Sequence, residues 1–268
     1  MGASNYWKDR ICKHILREGA AMGANTGCFV SLHTADPGGT GASEVVVGGS
    51  SYTRQSVSGT GTFPTVAGDS VTNSAAAINF TLMPACTVTH VGFWDTIGPV
   101  TGNFLHGQIL GASKAVNAGD TFQFATSQLT IDYSGTRGYS SYLTIQLLKH
   151  LLLQATFGQP ATNYVALFTA DPGETGASNE VSGGAGPYAR QVPSFANLSA
   201  NSGAKLLNAA INYAGMPACT VNYLAIFDAI TTGNCLVLQT VAALAKSVNA
   251  GDTFQIPGTG TGLTVTIS

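Results

Sequence analysis

Charge is scarce in this chain. Lys and Arg number 11 and Asp and Glu 13 in 268 residues, a charged fraction of 9% and a net charge of −2, where ~25% charged is usual. So weak and balanced a field offers no footprint for nucleic acid or for an anionic membrane surface, and neither is expected as a partner. Long apolar runs are missing too. The most apolar stretch, YLTIQLLKHLLLQATF at 142–157, carries Lys149 in its middle and is shorter than the ~20 residues a bilayer requires. The start, MGASNYWKDRICKHI, has no basic segment leading into an apolar core, so no signal peptide is read. Tyr6 also stands where N-myristoylation would need Ser or Thr. Synthesis in the cytoplasm is expected. Five cysteines, Cys12, Cys28, Cys86, Cys219 and Cys235, are an odd number without CxxC spacing. They read as reduced thiols, with no disulfide framework or zinc site.

Motifs of catalysis are equally absent. There is no GxSxG elbow, Walker loop or HExxH. GTGTG at 258–262 is followed by neither a helix nor a lysine, so phosphate cradling is not expected. No cofactor and no metal is expected.

What the chain does have is glycine, 33 of 268 residues, and a duplication. KAVNAGDTFQF at 114–124 recurs as KSVNAGDTFQI at 246–256, TADPGGTGASEV at 34–45 as TADPGETGASNEV at 169–181, YTRQ at 52 as YARQ at 188, and MPACTV at 83 again at 216. The order is the same and the offset drifts only slightly, so small loop insertions separate two copies. They meet near Ser134 to Gly138, a short junction with no low-complexity linker, which predicts two closely packed domains, 1–134 and 135–268.

Within each copy one helix precedes many short strands. Ser4 or Asn5 can cap a helix with Trp7, Ile11 and Ile15 on one face and Lys8, Asp9, Arg10, Lys13 and Arg17 elsewhere. The second helix starts at Ser140 or Ser141 and presents Leu143, Leu147, Leu148, Leu151 and Leu152 with few charges. It is expected to bury more of its circumference, and Leu143, Leu147 and Leu151 are the candidate interface, against the other domain or another subunit. Val30 and Leu32 match Val165 and Leu167 at period two, and later β-type runs are spaced by turn residues. Seven or eight strands per copy predict a mainly β chain of two tandem antiparallel β-sandwiches, jelly-roll-like, each preceded by one α-helix.

Duplication also sorts the chemistry, since an active site in each copy should keep its side chains in both. His33 is matched by Phe168, His90 by Tyr223 and His106 by Val237. Only His14 and His150 are paired, both on the helices, where a surface or packing role is expected. The acidic residues in both copies include Asp36 and Asp171, Glu44 and Glu180, and Asp120 and Asp252. Paired carboxylates for glycoside hydrolysis or oxygen ligands for calcium are conceivable. Turn sequences around Asp36 and Asp120 make backbone N–H satisfaction the better supported role. Arg54 and Arg190, with Glu44 and Glu180 upstream, read as ion pairs pinning a loop.

LHTADPGGTGASEV, SSYTRQ, NSAAAINF, VTHVGFWD, TGNFLHG and KAVNAGDTFQF, together with their second-copy counterparts, resemble a family of tailed-bacteriophage virion proteins often labelled tail-fibre-like. The second copy departs by the extra Asn179 and by lacking a glycine equivalent to Gly92. The resemblance implies a structural virion component with no enzymatic role, partnered by other viral structural proteins. On that reading the chain decorates or cements a capsid as a homo-oligomer, with a trimer offering six modules. The alternative is a tail or tail-fibre component that binds a receptor or glycan, with Trp7, Trp94, Tyr52 or Tyr188 as stacking platforms.

Overall fold

The computed structural model describes residues 3–17, 22–23, 25–45, 52–98, 101–133, 138–182, 188–197, 204–240, 245–258 and 264–266. The junction at 134–137 and most of GTGTG lie outside the described residues. The first copy runs α1 (Asn5–Ile15), β1 (Phe29–His33), β2 (Gln55–Ser56), β3 (Ser70–Thr72), β4 (Ile78–Phe80), β5 (Cys86–Trp94), β6 (Phe104–Val116), β7 (Phe122–Phe124) and β8 (Thr130–Asp132). The second runs α2 (Ser141–Leu151), β9 (Tyr164–Phe168), β10 (Phe195–Asn197), β11 (Ala204–Leu207), β12 (Ile211–Tyr213), β13 (Cys219–Val221), β14 (Tyr223–Phe227), β15 (Cys235–Thr240), β16 (Lys246–Val248), β17 (Phe254–Ile256) and β18 (Thr264–Thr266). The chain is mainly β, in two tandem repeats each opened by a helix.

Each helix starts at a serine cap, because a hydroxyl oxygen takes one of the N–H groups that the first turn leaves unpaired. Ser4 Oγ accepts from the Trp7 N–H at 3.0 Å and Ser140 Oγ from Leu143 at 3.1 Å. The same hydroxyls donate to the carbonyls of Phe104 and Cys235, so each cap also ties its helix to the strand beneath.

The ladders repeat in register. β1 lies antiparallel to β5 with Val30 opposite Phe93, and β9 to β14 with Val165 opposite Ile226. The sheets read β2-β1-β5-β6 in the first copy and β9-β14-β15 in the second. β3–β8 and β4–β7 are matched by β11–β18 and β12–β17. Alternation along β4, β7, β12 and β17 buries the first and last residue and exposes the middle one, the period-two signature of a half-covered sheet.

The helices cross between copies. α1 packs on β6 of its own copy and on β11 of the other, while α2 packs on β15 and on β3. Contacts are therefore reciprocal, as in an isologous dimer fused into one chain, and one continuous apolar core runs through both copies. The two helical histidines sit at this seam and are buried. His14 Nδ1 accepts from the Met22 N–H at 2.9 Å, and His150 Nδ1 from Phe157 at 3.3 Å. His150 Nε2 lies 3.2 Å from the Gly23 carbonyl, and His14 lies against the Gly158 backbone. Burial lowers both pKa values, keeping the rings neutral so that Nδ1 can accept.

Two expectations change here. Asp9, read as outside the apolar face, is buried, because its side of α1 is covered by β11 of the other copy. The helices also bury six residues each, so α2 is no more enclosed than α1. The difference in composition is taken up by a charge pair at Asp9.

Candidate interaction site

The strongest repeated feature outside the core is a loop and the ion pair beneath it. Glu44 precedes β2 and Arg54 enters it, which brings them together beside the end of β5. Arg54 Nε and Nη2 donate to the two carboxylate oxygens of Glu44 at 2.9 and 2.7 Å. Arg190 holds Glu180 the same way at 2.9 and 2.8 Å. Each guanidinium also lies flat on an aromatic ring, Arg54 at 3.7 Å from the Trp94 centroid and Arg190 at 3.6 Å from Phe227, adding a cation–π contact to a charge-assisted fork. Tyr52 and Tyr188 complete the cluster. Each hydroxyl accepts a strand N–H, from Leu32 at 2.9 Å and Leu167 at 2.8 Å, and donates to the glutamate.

The remaining guanidinium nitrogen reaches upward. Arg54 Nη1 donates to the carbonyls of Thr96 at 3.0 Å and Thr101 at 3.3 Å; Arg190 Nη1 donates to Ala229 at 3.0 Å and Thr232 at 2.7 Å. These carbonyls belong to the connections between β5 and β6 and between β14 and β15. The neck of each is closed by an aspartate: Asp95 accepts from Asn103 N and Nδ2 at 2.7 and 2.6 Å, and Asp228 from Asn234 at 2.6 and 2.8 Å. Gly102 has φ +88°, and a Cβ there would lie 2.0 Å from Thr96 Oγ1, so only glycine turns the chain. Among the described residues of these loops, one large apolar side chain on each faces solvent, Ile97 at 58% and Ile230 at 51% exposure. They are the one equivalent pair among the exposed large hydrophobics of the described residues.

The family Podophage GP4 fiber I protein gp80 matches the chain twice, over residues 2–132 and 138–264. The chain belongs to that family. It is a phage structural protein of the virion, with the family's unit present in tandem. No curated protein matches it. In this fibre-protein family member the ion pair, the tyrosine and the aspartate neck fall inside both matched spans.

The turn aspartates sit at equivalent places in the two repeats. Asp36 accepts from Gly38 N at 2.7 Å and Asp171 from Gly173 N at 2.8 Å. Asp120 accepts from Asn117 N and Nδ2, and Asp252 from Asn249 in the same way. Leu143, Leu147 and Leu151 are covered within the chain, so that face is closed to a second subunit. Trp7, Trp94 and Tyr52 are buried and Tyr188 is half-buried. The first three are closed to a sugar ring.

Sequence reasoning passed over a polar network in the first repeat. His33 Nδ1 meets the Ala42 carbonyl at 2.7 Å and must donate, so its Nε2 accepts from Ser31 Oγ at 2.7 Å, which in turn accepts from Trp94 Nε1 at 3.0 Å. The order resembles a Ser–His dyad. Yet Ser31 and His33 are fully buried, both ring nitrogens of His33 and the Ser31 proton are committed, and the second repeat holds Ala166, Phe168 and Phe227 at these places. The network is a polar substitute for an aromatic cluster. Among the described residues no three His, Cys, Asp or Glu side chains gather as a metal site. Burial pushes the Cys28 and Cys235 thiols up, the latter to about 12, which suppresses the nucleophilic thiolate.

Proposed function

We propose that this chain is a non-enzymatic docking component of the phage fibre apparatus, binding other virion proteins through its two Ile-tipped loops. One observation carries the reading: the same buried Arg–Glu fork, aspartate neck and exposed isoleucine occur in both repeats. A loop whose neck and flanking carbonyls are held loses less freedom on binding, and an exposed aliphatic side chain fits a pocket on a partner. Weak surface charge suits a permanent contact better than an electrostatically steered one. The family's name, that of a fibre protein, favours fibre over head. Capsid decoration is the second reading, motivated by the duplicated, nearly neutral surface.

The units at 1–134 and 135–268 are proposed as jelly-roll-like sandwiches that act as a pair. If three chains associate, the repeating element is the whole two-module chain, because the modules are joined reciprocally and not head to tail as a six-module ring requires. Assembly in the host cytoplasm, without nucleic acid, membrane or cofactor, follows from the same reading. The test is complementation of a phage lacking this protein with Ile97→Asp, Ile230→Asp and the double variant. Each should keep the parent's unfolding midpoint and be lost from purified particles, the double most completely. Full incorporation of the folded double variant would overturn the proposal, and imaging of labelled particles separates fibre from head.

A further inference from the structure

The two modules meet at two helix-on-sheet crossings that their reciprocal arrangement would make alike, and the residues at them differ in kind. Where α1 lies on β11, Asp9 Oδ1 faces Lys205 Nζ at 3.8 Å, with the Lys205 side chain wholly buried and Asp9 6% exposed. Asp9 Oδ2 also holds Lys13 at 2.5 Å on the next turn. Where α2 lies on β3, the corresponding residues are Ile145 and Val71. Strand register fixes one equivalence, since Val71 opposes Ile131 across β3–β8 as Lys205 opposes Val265 across β11–β18. The serine caps fix the other, because Asp9 and Ile145 stand at the same distance from Ser4 and Ser140. One crossing is an ion pair and its twin is aliphatic.

We infer that this split makes each module's helix-docking face selective for the unlike module. Two first modules joined by the same contacts would place Asp9 on Val71 at both crossings. Two second modules would place Ile145 on Lys205. Either arrangement separates Asp9 from Lys205 and sets each against an aliphatic side chain, with Lys205 and Val71 buried, Ile145 half-buried and Asp9 still holding Lys13, which disfavours pairing by on the order of 10-fold or more per crossing. A buried pair seldom outperforms aliphatic residues of similar size in stability, so its effect here is discrimination between partners. The ligand of the β11 face is therefore the α1 helix and that of the β3 face is α2, whether from the same chain or from a second copy.

Single substitutions in the full chain can imitate the forbidden pairs one crossing at a time. Ile145→Asp reproduces at the second crossing what two first modules would make, and Val71→Lys what two second modules would make. Ile145→Asp with Val71→Lys rebuilds the ion pair there. In urea unfolding followed by tryptophan fluorescence, each single variant should raise the unfolding equilibrium constant at least ~10-fold and the double should recover most of that loss. At the native crossing, Asp9→Ile and Lys205→Val should each destabilise, and Asp9→Ile with Lys205→Val should match or exceed the parent. A single variant too unstable to fold beside a folded double is the same result. Additive losses in either cycle, or single variants with the parent's midpoint, would overturn the inference.

Discussion

Replacing Arg54 and Arg190 by methionine, one at a time, compares the same interaction at two depths within one molecule. Both substitutions remove a bidentate fork, two loop carbonyl contacts and an aromatic stack, and both leave a linear side chain in the space. Besides the stacked ring, Trp94 against Phe227, the two sites differ in access to water. The Arg54 side chain is fully buried over a Glu44 that is 10% exposed, whereas Arg190 is 7% and Glu180 26% exposed. Stripping the partner from a buried carboxylate costs about 3–5 kcal/mol, because the charge keeps its desolvation and loses its compensation. At Glu180 solvent can reach part of the carboxylate, and the loss should be about 1–3 kcal/mol, the range for an unsatisfied group with partial hydration. Equilibrium urea unfolding measures both, and Arg54→Met with Glu44→Leu supplies the control, since removing both charges should restore much of the stability. Equal losses at the two sites, or a larger loss at Arg190, would refute burial as the source of the difference.

Acid should weaken the fold through its histidines. Burial lowers the pKa of His14, His33 and His150, and that of His106, packed against Tyr133, falls to about 4. Between the unfolded value near 6.5 and the folded value the unfolded chain binds more protons, so stability is complete above pH ~6.5 and declines as the pH falls toward 4. His106 alone accounts for about 3 kcal/mol over that window, and a flat urea midpoint from pH 7 to 4 would contradict it. Leu147→Asp puts a charge at a site 1% exposed and should cost at least ~4 kcal/mol or prevent soluble expression; an unchanged melting curve would refute the packing of α2. Gly92→Ala should destabilise, since its Cβ would lie 2.5 Å from His33 Nε2 and 2.7 Å from Ser31 Oγ. The second repeat carries Ala225 there, opposite Ala166 and in one cluster with Phe168. Phe104 Cε2 would lie 2.8 Å from the added Cβ as well, so adding Ser31→Ala, His33→Phe and Phe104→Cys, the residues of the second repeat, should rescue the variant in a thermal melt.

The duplication was legible from residues alone because turns need particular residues: Asp-Pro-Gly and Asn-Ala-Gly-Asp survive in both repeats where few side chains can replace them. Helix and strand positions were legible for a similar reason, as Trp7, Ile11 and Ile15 and then Val30 and Leu32 carry the 3.6 and 2.0 periods of half-buried elements. The crossing of the helices was not. Nothing near Asp9 signals a strand almost two hundred residues later, and a single aspartate among Lys8, Arg10 and Lys13 looks like solvent-facing charge. Lys205 stands in a strand where valine would be read as core, a departure visible only once Val71 is known to be its counterpart. The loop tips were missed because Ile97 and Ile230 follow apolar strands and look like their continuation. Their exposure is decided by Asp95 and Asp228, whose bonds to Asn103 and Asn234 close the loops before the isoleucines can turn inward.

The crossed helices also set a timetable for synthesis. The strand that Asp9 docks on is made almost two hundred residues after it, a delay on the order of ten seconds or more at ~5–20 residues per second. Until then α1 can settle only against β6, with Asp9 in water beside Lys13, and one flank of the first module stays open. A chain cut short anywhere before β11 would never close it. Nascent fragments thus remain recognisable to chaperones and proteases, and only a polypeptide read through to its second half can hide the seam by which it would otherwise be caught.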